Sequence, residues 1–82
     1  MRLDDFLSTV GIIKRRTVAK ELGTAGMLEV NGRKAKPAYE VKVGDIIHIK
    51  GNNSQSAEVL DVPTRSVPKE DRSRYFKLLA GE

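Results

Sequence analysis

Cysteine is absent from the 82 residues, and there is one histidine. The first absence excludes disulfides and thiolate metal sites, and it fits a reducing cytosol. A lone imidazole, His48, cannot build a histidine metal cluster. No spaced set of acids suggests a calcium loop either, so no metal or cofactor is expected. Tryptophan is also absent. Only four side chains are aromatic (Phe6, Tyr39, Tyr75 and Phe76), too few and too scattered for a platform on which successive bases stack. No apolar run approaches the roughly 20 residues of a membrane span. Met1 to Val10 carries Asp4 and Asp5 where a signal peptide would have its apolar core. The expectation is a cytoplasmic protein with no membrane contact.

Enzymatic signatures are missing as well. Gly23, Gly26 and Gly32 are isolated, so there is no phosphate-cradling loop of the P-loop kind. No Gly-x-Ser-x-Gly elbow occurs. Ser8, Ser54, His48 and Asp45 have no motif context. The acid pairs Asp4-Asp5 and Glu70-Asp71 suit the positive ends of helices better than acid–base chemistry. A chain of this length has room for one small domain and little volume for a substrate pocket. No catalysis is expected.

What the chain does have is positive charge, unevenly placed. The net charge is +4. Residues 1–50 hold ten basic and six acidic side chains, whereas residues 51–82 hold five of each. A basic surface confined to one part of a small domain favours nucleic acid, a membrane surface or an acidic protein.

Leu3, Phe6, Leu7 and Val10 follow the i, i+3, i+4, i+7 spacing of a short amphipathic helix. Its first turn carries Asp4 and Asp5, and Gly11 ends it. Asp4 is placed to pair with a nearby arginine. A second helix is expected from about Lys14 to Thr24, with Val18, Ala19 and Leu22 on its apolar side and Gly26 closing it. Arg16 and Lys20 lie one turn apart on roughly the opposite side. Like charges at that spacing weaken an isolated helix, so the pair benefits an anionic partner more than the fold.

Met27 to Val30 reads as a strand with Leu28 and Val30 inward. Asn31-Gly32 is the strongest turn signal, since both residues tolerate positive φ in a type I′ hairpin. That turn aims Arg33, Lys34 and Lys36 outward. Tyr39 to Val43 alternates weakly, with Val41 and Val43 inward, and Gly44-Asp45 turns the chain. Ile46 to Lys50 is the clearest strand, with Ile47 and Ile49 buried and His48 exposed. Gly51 to Ser56 is a polar loop, and Ala57 to Val62 is a further strand ended by Pro63. Pro68 and the acids after it mark a helix start, with Tyr75, Leu78 and Leu79 as a narrow apolar stripe.

Taken together, Arg2-Leu3-Asp4-x-Phe6-Leu7, Lys14-x-Arg16-x-x-Ala19-Lys20-x-Leu22, Gly26-x-Leu28-x-Val30-Asn31-Gly32, Lys36-Pro37 and Val43-Gly44-Asp45 resemble the S4 RNA-binding domain. The resemblance runs from about Met1 to Lys50 and implies an α+β fold. A helix hairpin, the αL motif, packs on a small, mostly antiparallel sheet, and a short C-terminal helix follows. Residues 1–50 are then the RNA-binding core. Residues 51–82 are an extension whose strand and helix pack on it.

The chain looks most like the small stand-alone bacterial members of that family, which associate with the large ribosomal subunit in quality control. This likeness implies non-catalytic binding of large-subunit ribosomal RNA and of peptidyl-tRNA on stalled nascent-chain complexes, beside quality-control factors. A monomer is the expected state. The implied RNA contacts are Arg2, Lys14, Arg16 and Lys20, helped by Arg33, Lys34 and Lys36, with Arg15 ranked below Arg16 because it falls nearer the apolar face. Two alternatives remain open: a heat-shock-type factor that recycles large subunits, and an adaptor for an acidic protein.

Overall fold

The computed structural model describes residues 1–51 and 54–79. The spaced apolar residues near the start form helix α1 (Leu3–Thr9). The whole stripe of Leu3, Phe6, Leu7 and Val10 is buried. No side chain caps the α1 N-terminus. Instead, the N–H groups of Leu3 and Asp4 bond to the carbonyls of Tyr39 (2.7 Å) and Pro37 (3.1 Å). The Asp5 N–H bonds to the Asp4 carboxylate at 2.8 Å. A buried helix start needs such partners, and that need draws residues 37–41 across the end of α1. Val41 N–H adds a bond to the Met1 carbonyl at 3.0 Å.

Helix α2 spans Arg16–Thr24, two residues shorter at its start than the expected Lys14 to Thr24. Arg15 is the extended N-cap, with φ −124° and ψ 135°. Lys14 precedes the helix, and Arg16 opens it with its guanidinium paired to Asp5, which offsets a cation at the positive helix end. The buried side is also rotated from the expected one. Ala19 and Gly23 are buried and Leu22 is half-buried, while Val18 is 41% exposed. The helix makes its contact through its smallest residues, where backbones approach most closely. A Cβ placed on Gly23 would lie 2.6 Å from Cγ and 2.9 Å from Cδ of Pro37. Rotation toward Gly23 turns Val18 outward. It brings Arg16 and Lys20 to the flank of the contact rather than opposite it.

The strands are β1 (Leu28–Val30), β2 (Arg33–Lys34), β3 (Ile46–Ile49), β4 (Gln55–Val59) and β5 (Phe76–Leu79). They form one sheet in the order β2-β1-β3-β4-β5, with every pairing antiparallel. The β1–β2 hairpin turns on Asn31 (φ 54°) and Gly32 (φ 84°), the left-handed geometry that a two-residue turn requires. Leu28, Val30, Ile47, Ile49 and Val59 face the α1 stripe, and Ala19 and Val41 complete the core.

Three expectations about segments are corrected. Tyr39 to Val43 is not a sheet strand. It caps α1 and pairs with the chain start through the Arg2–Glu40 bridge. Lys42 N–H then bonds to the Asp45 carboxylate, and Val43 is left 64% exposed. The strand expected over 57–62 runs instead over Gln55–Val59, because the N–H groups of Leu60 and Asp61 turn to the Tyr75 carbonyl. The short C-terminal helix is a 3₁₀ turn, Lys69–Arg74, and its expected stripe is mostly strand. The open edge of β4 needs a partner, and Phe76–Leu79 supplies one, opposing Val59 to Phe76 and Ala57 to Leu78. Of the polar loop, Asn52 and Asn53 lie outside the described residues. Among the described residues, no helix is long and apolar enough to cross a membrane.

Helix propensity alone would make Gly23→Ala stabilising by about 1 kcal/mol. The Pro37 ring reverses that sign: overpacking typically costs about 1–3 kcal/mol. Urea unfolding of Gly23→Ala is expected to give a lower midpoint than the native chain. A higher midpoint would remove the close approach as a constraint.

Candidate nucleic-acid interface

Arg16, Lys20 and Gly23 follow i, i+4, i+7 along α2, so they share one edge of the helix. Where Gly23 meets Pro37, a cleft of about 440 Å³ opens, lined by Arg2, Lys20, Gly23, Thr24, Lys36, Pro37 and Ala38. Three cations from three separate segments meet there: the lead-in to α1, the middle of α2 and the loop after β2.

Two arginines at this edge are held by acids. Arg2 Nη2 donates to Asp4 Oδ2 at 3.3 Å, and its Nε lies 3.3 Å from Oδ1. That Nε is buried but not aligned for a hydrogen bond. Arg16 Nε sits 2.8 Å from Asp5 Oδ1 and 3.7 Å from Asp4 Oδ2. Asp4 is fully buried, and a buried carboxylate needs such partners. Asp4 and Asp5 therefore anchor arginines besides matching the helix end. Arg16, 54% exposed, is an ion-paired side chain rather than an open cation. Lys20 and Lys36 are exposed and form no ion pair among the described residues.

The hairpin cations adjoin this cleft. Arg33, Lys34 and Lys36 are all exposed. They line a second groove beside the hairpin, and Lys36 and Ala38 line both hollows. Lys34 also leans toward the end of α2, with its Nζ 3.7 Å from where a Gly26 Cβ would stand. The two basic groups therefore meet at Lys36. Lys14 and Arg15 are exposed in the connector ahead of α2 and line neither hollow. Arg15 does not lie near an apolar helix face, because it precedes the helix.

The sequence reading missed what holds the hairpin in place. Asp45, read only as a turn residue, is buried. It accepts bonds from Tyr39 Oη (2.8 Å), Lys42 N–H (2.9 Å) and Asn31 Nδ2 (3.1 Å). Asn31 Oδ1 accepts the Ile46 N–H at 3.0 Å, so Asn31 is bound through its amide as well as suited by its φ. The only sequence signal for this was Asn, rather than a second Gly, ahead of Gly32. Burial pushes the Asp45 carboxyl up, but the bonds from Lys42, Tyr39 and Asn31 together hold it below its ordinary 3.8. The same bond to Asp45, with burial and the nearby charge, pushes the Tyr39 hydroxyl up.

Other chemistry lies elsewhere. Lys50 bonds to Glu29 at 2.8 Å, and that bond is the main reason the Glu29 carboxyl is held low. His48, expected to be exposed, is half-buried, with Nδ1 2.7 Å from Ser56 Oγ on the next strand. Among the described residues no three His, Cys, Asp or Glu side chains are placed to share a metal. The arrangement suits binding of a polyanion through phosphate contacts.

A family model described as the S4 domain matches residues 1–47. A Helicobacter pylori strain J99 protein named RQC P-site tRNA stabilizing factor is 40% identical over 80 residues, spanning 93% of each chain. The solution structure of a hypothetical protein superposes with TM-score 0.83 at 34% identity, covering all of both chains. The trimeric structure of Vibrio cholerae Heat Shock Protein 15 superposes with TM-score 0.87, covering 98% of this chain and 82% of that one. At 22% identity this second likeness speaks for the fold alone.

The Asp45 cluster makes stability depend on pH. A carboxyl held low when folded takes its proton later than in the unfolded chain. Its contribution is therefore full above the ordinary value and is lost as pH falls through the lower, folded one. Asp45→Asn is expected to lower stability at pH 7 by about 1–3 kcal/mol and to flatten the acid limb. Urea midpoints from pH 7 down to pH 2 check both, and an unchanged acid limb would remove Asp45 as its source.

Proposed function

The chain belongs to the S4 domain family, and on that premise we propose that it is a non-catalytic RNA-binding protein of the large ribosomal subunit. There it holds ribosomal RNA and the P-site tRNA of stalled nascent-chain complexes during ribosome-associated quality control. The relative named RQC P-site tRNA stabilizing factor supports this reading. The observation that carries it is the meeting of Arg2, Lys20 and Lys36 round one cleft, with two of the three outside any ion pair among the described residues.

In this reading residues 1–50 form the RNA-binding core. Arg2, Lys20 and Lys36 take phosphates of one strand. Arg33 and Lys34 continue the track along the hairpin, and Lys14 and Arg15 meet the backbone ahead of α2. Arg16, steadied by Asp5, presents a preset guanidinium. A-form RNA hides its major groove but displays phosphates and a wide minor groove, so shape and charge govern recognition more than base edges. Residues 51–82 form an extension, whose strands β4 and β5 complete the sheet. The protein works in the cytoplasm as a monomer, beside other quality-control factors.

Each lysine on a phosphate releases counterions, so its loss flattens the salt dependence of binding by about one unit of slope. Lys20→Ala and Lys36→Ala are each expected to weaken co-sedimentation with stalled large subunits and to flatten that slope, with circular dichroism unchanged. Sedimentation with free subunits, whole ribosomes and stalled complexes resolved separately measures this, with and without RNase. Variants with native slopes, or an association that survives RNase, would defeat the reading and favour a protein partner.

A further inference from the structure

The groove beside the hairpin, about 750 Å³, is chemically mixed. Half-buried Ala35 and Tyr39 form its floor, and exposed Ala38 with the cations Arg33, Lys34 and Lys36 forms its rim. None of the rim cations takes part in an ion pair among the described residues. Phosphates alone have no use for the apolar floor, and an apolar ligand has no use for the three cations. A nucleotide has both parts, a flat base and a charged phosphate. The Tyr39 ring is fixed in advance, because its hydroxyl donates to the buried Asp45 carboxylate at 2.8 Å. Little side-chain freedom is lost when something stacks on it. Lys36 and Ala38 also line the Arg2–Lys20 cleft, so a strand crossing that cleft runs into this groove. RNA offers such nucleotides at bulges and loops, where bases are unstacked.

We propose that this groove seats one unpaired nucleotide of the bound RNA, its base against Tyr39 and its flanking phosphates on Arg33, Lys34 and Lys36. The inference rests on the RNA-binding reading above and adds a structural preference to it. A single ring accounts for a single base. The partner RNA is then a helix interrupted by a bulge or flanked by a loop, rather than a continuous duplex.

The test uses two synthetic RNA hairpins, one fully paired and one carrying a single bulged 2-aminopurine, titrated with the full chain. The native protein is expected to favour the bulged hairpin and to quench its 2-aminopurine fluorescence. Base–aromatic stacking energies imply a loss of about 5- to 150-fold on the bulged hairpin for Tyr39→Leu. Tyr39→Phe keeps the ring but removes its bond to Asp45, so it is expected to retain the quench with weaker binding than the native chain. Ala38→Glu, at an exposed position lining both hollows, puts a carboxylate on the rim; it is expected to weaken binding of both hairpins and to abolish the preference between them, without touching the core. Equal binding of the two hairpins by the native chain, or a preference that survives Tyr39→Leu and Ala38→Glu, overturns the nucleotide seat and leaves the RNA-binding reading standing. Binding of neither hairpin defeats that reading as well. Binding of poly-glutamate in place of both puts an acidic protein segment in the groove and overturns the proposal.

Discussion

The contact between Gly23 and Pro37 is the constraint on which the basic surface depends. With 2.6 Å between a would-be Cβ and the proline ring, α2 lies as close to the 36–38 loop as a helix can. That approach has a cost in like charge, since it draws Lys20 and Lys36 toward each other and toward Arg2. Packing and backbone bonds sustain it. Ala19 is buried, and the carbonyl of Pro37 closes the start of α1. The fold therefore holds together, at the surface, a set of cations that would not gather unaided. Local rules broken against electrostatic preference, with the cost met by packing elsewhere, are a mark of a binding site rather than of a core.

The acids have distinct tasks that their spacing alone does not reveal. Asp4 and Asp5 suit the positive end of α1, and each also grips an arginine. Asp45 works on the other side, tying the Asn31 turn to the Tyr39 loop. One group sets the arginines beside α1, and the other sets the hairpin that bears Arg33 and Lys34. Between them, Lys20 and Lys36 have no acid partner among the described residues. Preset arginine forks favour defined geometry, while mobile lysines adapt to a variable backbone. The surface combines the two.

Much of this was legible in the sequence wherever the signal was local. The α1 stripe, the Asn31-Gly32 hairpin and the alternation of Ile46 to Ile49 each depend on neighbours within a few residues, and each appears as read. The misread parts depend on distant partners. Helical periodicity shows a stripe but not which side of it meets the fold, so the rotation of α2 toward Gly23 was hidden. Residues 39–43 alternate like a strand, yet the open N–H groups of α1 claimed them. Tyr75, Leu78 and Leu79 are spaced like a helix, yet the open edge of β4 claimed most of that stretch. The cations were legible as types and as two clusters. Their meeting point at Lys36 was not, because it depends on a contact between Gly23 and Pro37 that neither residue announces.

The sheet also explains why binding and stability can coexist in so small a chain. Its order runs from β2, two exposed basic residues, to β5 at the far edge. An open sheet edge invites pairing with other chains, and proteins blunt such edges with short strands and charge. Arg33 and Lys34 do this at the β2 edge whether or not RNA is present. The extension beyond residue 50 adds β4 and β5 at the opposite side, where basic and acidic residues balance. Strands that complete the core are thus kept away from strands that carry the charge. The same short basic strand that blunts the sheet edge also lines the groove beside the hairpin.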